Sequence, residues 1–246
     1  MRSRVEVVAD VEDDGTPVLA RLRADGALAV RRTGPSTVHL VGTAAGPLDG
    51  DVVELDLVVR AGARLEVEGV AATIALPGPG DLAATWEVTA DVADGATLRC
   101  APQPLVVCAG ARLRTRTAAT LAPTASLDLV EQGVLGRYRE PGGTWSGRLT
   151  ADVGGVPVLR QTQTSAVLAA GPAAPGAAAA RSVVSRLLLG PGVPAAAAAT
   201  SGEAVVCPLA AGGVLLTAYG ADLATALRHL DDVWPTTPVA GALHGS

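Results

Sequence analysis

The stretch that best indicates the fold is Gly95-Ala96-Thr97-Leu98, because its pattern of glycine, alanine, any residue and leucine recurs along the chain. The other copies and variants of the pattern are Gly62-Ala63-Arg64-Leu65, Gly110-Ala111-Arg112-Leu113, the shorter Gly26-Ala27-Leu28 and the glycine-free Pro123-Thr124-Ala125-Ser126-Leu127. Each copy lies between stretches of strand character, as a turn followed by a strand whose first apolar residue points inward. From Gly95 to Leu127 the repeat falls about every 15 residues, which predicts stacked hairpins or a β-solenoid-like pile.

The apolar residues of the chain also favour strands. Of its 246 residues none is Phe, two are Tyr and three are Trp, so the core must consist mainly of Val, Leu, Ala and Ile. Valine is branched at its β carbon and fits a pleated sheet well. Apolar and polar residues alternate in Val5-Glu6-Val7 and in Leu19-Ala20-Arg21-Leu22-Arg23. We therefore predict a mainly β fold in which residues 1–160 form stacked strands in a β-helix-like or solenoid-like body.

Residues 161–246 have a different composition, and we expect them to complete the same single domain, residues 1–246. An apolar stripe predicts a helix over residues 178–189, and a second helix is expected from Asp222, closed by Trp234-Pro235. The other elements predicted here are linkers at 171–177 and 190–202 and a pair of strands at 204–207 and 214–219. The C-terminal third is thus expected to add about two α-helices to the β-rich body.

Charge and residue types exclude several classes of function. All 19 basic residues are Arg, because the chain contains no Lys. This excludes a phosphate-binding loop with its lysine and any lysine Schiff base. If a nucleotide is involved, we expect another protein to bind it. The net charge of -5 and the 2% of aromatic residues argue against a nucleic-acid partner.

The cysteines and the N-terminus indicate the compartment. Three cysteines occur without metal-type spacing: Cys100, Cys108 and Cys207. We interpret them as reduced, small core residues of a cytosolic protein. Met1-Arg2-Ser3-Arg4 resembles the start of a signal peptide, but Glu6 and Asp10 interrupt any apolar continuation. The alanine-rich stretch 166–180 is too short to span a bilayer. A cytoplasmic protein without a membrane partner is the expectation.

Three carboxylates are candidate site residues. Asp49 and Asp51 lie in the glycine-rich loop at 42–51, where glycine permits backbone angles that other residues avoid. They are either ordinary turn aspartates or residues of a shaped binding loop. Glu131 ends the strand-like Leu127-Asp128-Leu129-Val130-Glu131, and an exposed position is the more common one for such a side chain. The alternative is a paired carboxylate at a functional surface.

Three arginines alternate along one predicted strand: Arg112, Arg114 and Arg116. Because successive side chains of a strand point to opposite faces, all three share one face. That face is either simply solvated or a patch that meets an acidic partner, since arginine suits interface ion pairs.

Motifs of catalysis are missing from the sequence. The three histidines, His39, His229 and His244, are far apart and have no neighbouring ligand at metal spacing. There is no Gly-x-Ser-x-Gly elbow and no His-Glu-x-x-His. A β-solenoid enzyme acting on a carbohydrate, with Asp49, Asp51 or Glu131 as its acid pair, stays a weaker alternative, because the stacking aromatic rings typical of sugar sites are scarce.

Several motifs, in order and spacing, resemble the family of urease accessory proteins UreD (UreH in some bacteria) in its short actinobacterial form. They cover residues 35–150 approximately: Gly42-Thr43-Ala44-Ala45-Gly46-Pro47-Leu48-Asp49-Gly50-Asp51, Ala61-Gly62-Ala63-Arg64-Leu65, Ala71-Ala72-Thr73, Pro102-Gln103-Pro104, Ala109-Gly110-Ala111-Arg112-Leu113, and Glu131 with Gly136-Arg137. The sequence departs from the family pattern at Ala44 and Ala45, at 140–145 and at Ala218-Tyr219.

The resemblance implies a non-catalytic maturation factor with a β-helix-like fold and two helices. Family members bind apo-urease together with UreF and the GTPase UreG and assist the delivery of Ni²⁺, which is thought to pass through an internal channel. Asp51 and Glu131 match the family's carboxylates, so the resemblance makes them candidates for a transient nickel path, with no cofactor held stably. Arg112, Arg114, Arg116 and Arg137 are candidates for partner binding. A dimer within the accessory complex is a further expectation, and a generic β-rich interaction module is the main alternative.

Overall fold

The computed structural model describes residues 1–165 and 180–234, which form two β-sheets and a helix. In chain order the elements are β1 (Arg2–Val11), β2 (Pro17–Asp25), β3 (Leu28–Arg32), β4 (Thr37–Gly42), β5 (Val52–Val59), β6 (Arg64–Gly69), β7 (Thr73–Ala75), β8 (Ala84–Val92), β9 (Thr97–Ala101), β10 (Leu105–Val107), β11 (Arg112–Leu121), β12 (Ser126–Leu135), β13 (Thr144–Val153), β14 (Val156–Thr164), β15 (Ser182–Leu189), β16 (Ala199–Ser201), β17 (Ala204–Pro208), β18 (Val214–Gly220) and α1 (Leu223–Val233).

The chain winds between the two sheets. The first sheet has the order β14-β13-β11-β8-β5-β1-β2, and the second has the order β16-β17-β18-β15-β12-β9-β6-β4-β3, with the short β7 and β10 beside it. Neighbours β5, β8, β11 and β13 are parallel, and so are β4, β6, β9 and β12. Because the path alternates between the sheets from β4 to β13, these strands form the stacked coils of a solenoid. The predicted fold class is confirmed.

The repeated leucine of the sequence pattern forms one ladder in the second sheet. Leu65 pairs with Leu98, and Leu98 pairs with Leu127, in register across three parallel strands. All three side chains are buried in the core between the sheets. The preceding glycines, Gly62 and Gly95, have φ of 72° and 65°, which only glycine adopts without cost. The repeat therefore marks both the turn and the first inward residue of each coil, as predicted.

The helix predicted over 178–189 is wrong for the residues that the structure describes. Ser182–Leu189 is strand β15, which pairs antiparallel with β12 on one side and β18 on the other. Both of its faces are covered, so its apolar residues run on without alternation. A short apolar run of this kind fits a helix and a buried strand equally well by periodicity. The predicted linker at 171–177 and the first two residues of that helix lie outside the described residues.

The helix predicted from Asp222 is confirmed. Asp222 caps α1 by accepting a hydrogen bond of 2.8 Å from the amide of Thr225. Ala226 and Leu230 face the second sheet and form a small core with β15, β17 and β18. The described part of the C-terminal third therefore contains this helix and more strands than expected. No helix among the described residues is long and apolar enough to cross a membrane.

Candidate functional site

A polar region interrupts the apolar core between the sheets. In the first sheet one row of residues runs in register across the strands: Val5, Leu55, Val88, Thr117 and Leu149. All of them are apolar except Thr117, which pairs with Val88 and Leu149. In the second sheet the facing polar row consists of Glu131, Ser185 and Thr217, which are partners across three strands. Alternation along each strand aims all of these side chains inward. The two rows bring several polar groups to one place inside the solenoid.

Glu131 lies at the centre of this polar region. It shares its face of β12 with buried Leu127 and Leu129, so its carboxylate points between the sheets, where it accepts a hydrogen bond from the hydroxyl of Thr117. Burial raises the pKa of Glu131, and the bond from Thr117 only partly opposes this shift. The expectation of a solvent-exposed Glu131 is wrong, because strand alternation outweighs the general preference of carboxylates for the surface.

Two neighbouring cavities run through this interior. The cavity at Glu131, about 50 Å³ in volume, is lined mainly by apolar groups such as Val88, Leu129 and Val183. Its wall also contains these polar and aromatic side chains: Thr115, Thr117, Glu131, Gln163, Ser185, Trp86 and Trp145. The second cavity, about 200 Å³ in volume, has Asp51, Ser3 and Thr73 in its wall. Trp86, Pro102 and Gln103 line both cavities. The smaller cavity has room for a few waters. Asp51 and Glu131 therefore line two parts of one interior region.

Asp51 is held in the wall of the larger cavity. Its side chain accepts a hydrogen bond from the α-amino group of Met1 and one of 2.9 Å from the amide of Leu48. Burial alone would raise the pKa of Asp51, but these donors outweigh it and the pKa is lowered. The pKa values of the two carboxyl groups are thus shifted in opposite directions: that of Asp51 is lowered and that of Glu131 is raised.

Asp49 has a structural role. Its side chain is only 2% exposed and accepts hydrogen bonds from the amide, Nε and Nη2 of Arg112, at 2.9, 3.2 and 2.9 Å. This contact ties the glycine-rich loop to the start of β11. Asp49 thus binds Arg112, whereas Asp51 binds Met1 and Leu48. The two aspartates do not form the acid pair that a carbohydrate enzyme would need.

The predicted arginines have different environments. Arg112, Arg114 and Arg116 do share the outward face of β11, as strand alternation predicts. The guanidinium of Arg112 donates hydrogen bonds to Asp49, and that of Arg116 contacts Glu87 at 2.9 Å. Arg114 is exposed between them. Arg137 lies on a separate loop, where it is paired with Glu140.

Sequence reasoning missed several residues of the interior. Thr115 and Thr117 alternate with the three arginines along β11, so the same periodicity that puts the arginines outside places both threonines inside. Gln163 gives no such signal: its buried Nε2 has no hydrogen-bond partner within the described ranges. Trp86 and Gln103 come together only through the stacking of coils.

The arrangement does not offer a closed metal site. Within residues 1–165 and 180–234, no three His, Cys, Asp or Glu side chains come close enough to hold one ion. Cys100 lines the cavity of Glu131, but burial raises the pKa of its thiol to about 12, which disfavours the thiolate that binds metals. Single carboxylates and hydroxyls remain, which would hold a divalent transition metal only weakly.

Fold and site together define a β-solenoid-like body with a polar interior region between its sheets. The sequence belongs to the family of UreD urease accessory proteins, whose family model matches residues 2–245.

Relatives from actinobacteria agree with this assignment. The urease accessory protein UreD of Parafrankia sp. (strain EAN1pec) is 38% identical over 273 residues, which cover 100% of this chain and 90% of the relative. Urease accessory protein UreD 2 of Saccharopolyspora erythraea is 40% identical over 240 residues, with 92% and 84% covered. Urease accessory protein UreD 3 of Streptomyces griseus is 40% identical over 238 residues, with 89% and 90% covered.

Proposed function

We propose that this protein is a non-catalytic maturation factor of urease. It binds apo-urease together with UreF and the GTPase UreG in the cytoplasm, and it assists the insertion of Ni²⁺ into the urease active site. Membership of the family supports the link to urease. The observation that most supports a part in nickel transfer is the polar interior region, where Asp51 and Glu131 line adjoining cavities.

The chemistry of this region suits passage better than storage. Ni²⁺ is bound more strongly by imidazole than by oxygen ligands, so a path of carboxylates and hydroxyls would release it readily. At the larger cavity the carboxylate of Asp51 would bind the ion in exchange for the α-amino group of Met1, with which it is paired. Glu131 lines the smaller cavity, and because burial raises its pKa, the ion would compete there with a proton. The chain has no Lys for a phosphate-binding loop, which fits a GTPase on a separate subunit.

The carbohydrate-enzyme alternative gains no support from the geometry. Asp49 is bound to Arg112, and Asp51 and Glu131 line different cavities. These three candidate carboxylates therefore do not form a pair on opposite sides of one open cleft, which is what glycoside hydrolysis needs.

The test is urea hydrolysis in a host that expresses the urease subunits and accessory genes of the source operon, with and without this chain. Nickel per purified urease is measured in the same samples. We expect both to fall when the chain is omitted and in the variants Asp51→Asn and Glu131→Gln. Glu66→Gln is the matched control, because Glu66 lies on the outward face of the second sheet.

Two results would contradict the proposal at different levels. Full urease activity without the chain would overturn the maturation role. A required chain whose Asp51→Asn and Glu131→Gln variants load nickel normally would overturn only the interior path.

A further inference from the structure

The loop between β12 and β13, residues 136–143, is fixed from inside the protein. Arg181, which precedes β15, donates hydrogen bonds to the carbonyls of Leu135, at 2.7 and 3.1 Å, of Arg137, at 3.2 Å, and of Glu140. Gly136 has φ of 76°, and a Cβ there would lie 2.5 Å from the carbonyl oxygen of Glu140. The loop is therefore closed tightly around one guanidinium group.

Arg137, the loop residue predicted to bind a partner, is used within the loop itself. Its amide, Nε and Nη2 each donate a hydrogen bond of 2.9 Å to the carboxylate of Glu140. These bonds lower the pKa of Glu140 to about 2, so the pair stays charged at neutral pH. Arg137 acts as a positioning residue, and its guanidinium is not the group that the loop presents.

The two residues at the tip of the loop, Tyr138 and Arg139, point away from the protein. Tyr138 is 86% exposed, although the chain has no Phe and only two Tyr. The guanidinium carbon of Arg139 lies 5.1 Å from the centre of the Tyr138 ring, within the range of a cation–π contact. Arg139 has φ of 59°, a conformation that costs energy for a residue other than glycine.

We propose that Tyr138 and Arg139 form the anchor by which this chain binds a protein partner of the urease maturation complex. The ring of Tyr138 fills an apolar pocket of that partner, and Arg139 binds a carboxylate at the rim of the pocket. The inference rests on the proposed function for the identity of the complex. Tyrosine and arginine are the residues most enriched among those that dominate binding energy, and the rigid loop lowers the entropy cost of ordering them.

Charge argues for a partner that is acidic at this place and is not a second copy of the chain. Among the described residues Arg139 has no ion pair, and the carboxylate beside it, Glu140, is saturated by Arg137. A two-fold contact joins the same patch of both copies. A two-fold contact centred on the tip of this loop would bring the two copies of Arg139 together without a free carboxylate between them. A different protein with an unpaired Asp or Glu next to an apolar pocket fits the loop better.

The test is site-specific photocrosslinking in the host that expresses the complete urease operon. A benzophenone amino acid replaces Tyr138, and a matched control places it at Val156, which is 57% exposed at the start of β14. We expect a crosslink from position 138 to a urease subunit or another accessory protein, at a peptide that contains Asp or Glu. No crosslink, or one to another copy of this chain, would overturn the proposal.

Affinity measurements with the purified captured protein separate binding from folding. Tyr138→Ala is expected to weaken binding about 30-fold, which corresponds to a dominant interface residue. Arg139→Gly relieves the positive φ and should leave Tm unchanged or higher, yet it should also weaken binding. Unchanged affinity in both variants would overturn the anchor. If the operon lacking this chain also matures urease fully, the proposed function fails as well. If the chain is needed for maturation but these two variants bind with unchanged affinity, the anchor alone fails.

Discussion

Thr117 on β11 donates its hydroxyl hydrogen bond to Glu131 on β12 across the space between the two sheets. The two residues are neighbours because the chain turns from one sheet to the other between them, so consecutive strands face each other. The contact gives a partly buried carboxylate one polar partner in a mainly apolar core. It also makes the protonation of Glu131 a property that stability measurements can detect.

Replacing Glu131 with Gln should change the pH dependence of stability. Burial raises the pKa of Glu131, so the folded protein keeps this proton at pH values where the unfolded chain has lost it. Wild-type stability therefore falls as pH rises through the unfolded pKa towards the folded one, and Glu131→Gln removes that loss. We expect a higher Tm for the variant at pH 8 and equal values near pH 4. Each kcal/mol recovered should raise Tm by about 2–4 °C.

Glu66→Gln provides a control of opposite sign for this experiment. The hydrogen bond from Arg64 lowers the pKa of Glu66, so this carboxylate stabilises the fold above its unfolded pKa and loses that effect as pH falls. The variant should be the less stable protein at pH 8. If the Tm of wild type and the Tm of Glu131→Gln change with pH in the same way, the pKa of Glu131 is not raised.

Shortening one leucine of the core ladder should destabilise the protein strongly. Leu98 is fully buried between Leu65 and Leu127, so Leu98→Ala removes apolar contacts and leaves a cavity. The expected loss is about 2–5 kcal/mol in the free energy of unfolding, measured in urea. Leu82→Ala is the matched control, since Leu82 is 74% exposed and should change stability by no more than about 0.5 kcal/mol. Equal effects of both changes would contradict the stacked coils.

Removing the carboxylate of Asp49 should loosen the glycine-rich loop. Asp49→Ala leaves Arg112, which is partly buried, without the acceptor of three hydrogen bonds. We expect a loss of about 2 kcal/mol, because charge-assisted hydrogen bonds of this kind contribute more than neutral ones. Asp81→Ala is the control: Asp81 is fully exposed and approaches the same guanidinium only at 3.7 Å. A similar cost for both variants would show that the contact of Asp49 is not special.

A line of opposite charges crosses the outward face of the second sheet. Asp128 contacts Nε and Nη2 of Arg186, at 2.8 and 2.9 Å, and Nε of Arg99, at 3.6 Å. Arg99 also contacts Glu68, at 3.2 Å. Asp128→Ala should therefore cost about 1 kcal/mol at low salt, at the upper end for ion pairs near a surface, and less in 1 M NaCl. A cost that does not depend on salt would point to packing as its cause.

Local patterns predicted the strands better than they predicted the environment of each strand. The repeated leucines and the glycine turns before them were identified correctly, because both depend on neighbouring residues only. The helix predicted over residues 178–189 is wrong where Ser182–Leu189 forms a strand, because burial on both faces removes the alternation that distinguishes a strand. The contact between Asp49 and Arg112 spans 63 residues of sequence and had no local signal.

The sequence by itself determined the mainly β class, the solenoid-like repeat and the family, because turn glycines, inward leucines and ordered motifs are all local features. It also predicted which residues share one face of a strand, as for the arginines of β11. Only the tertiary structure decided that Glu131 points inward to Thr117, that Asp51 lies in an adjoining cavity, and that Tyr138 and Arg139 project while Arg137 does not. Periodicity assigns a side chain to one face of a strand. What covers that face depends on the pairing of distant strands, which local sequence does not encode.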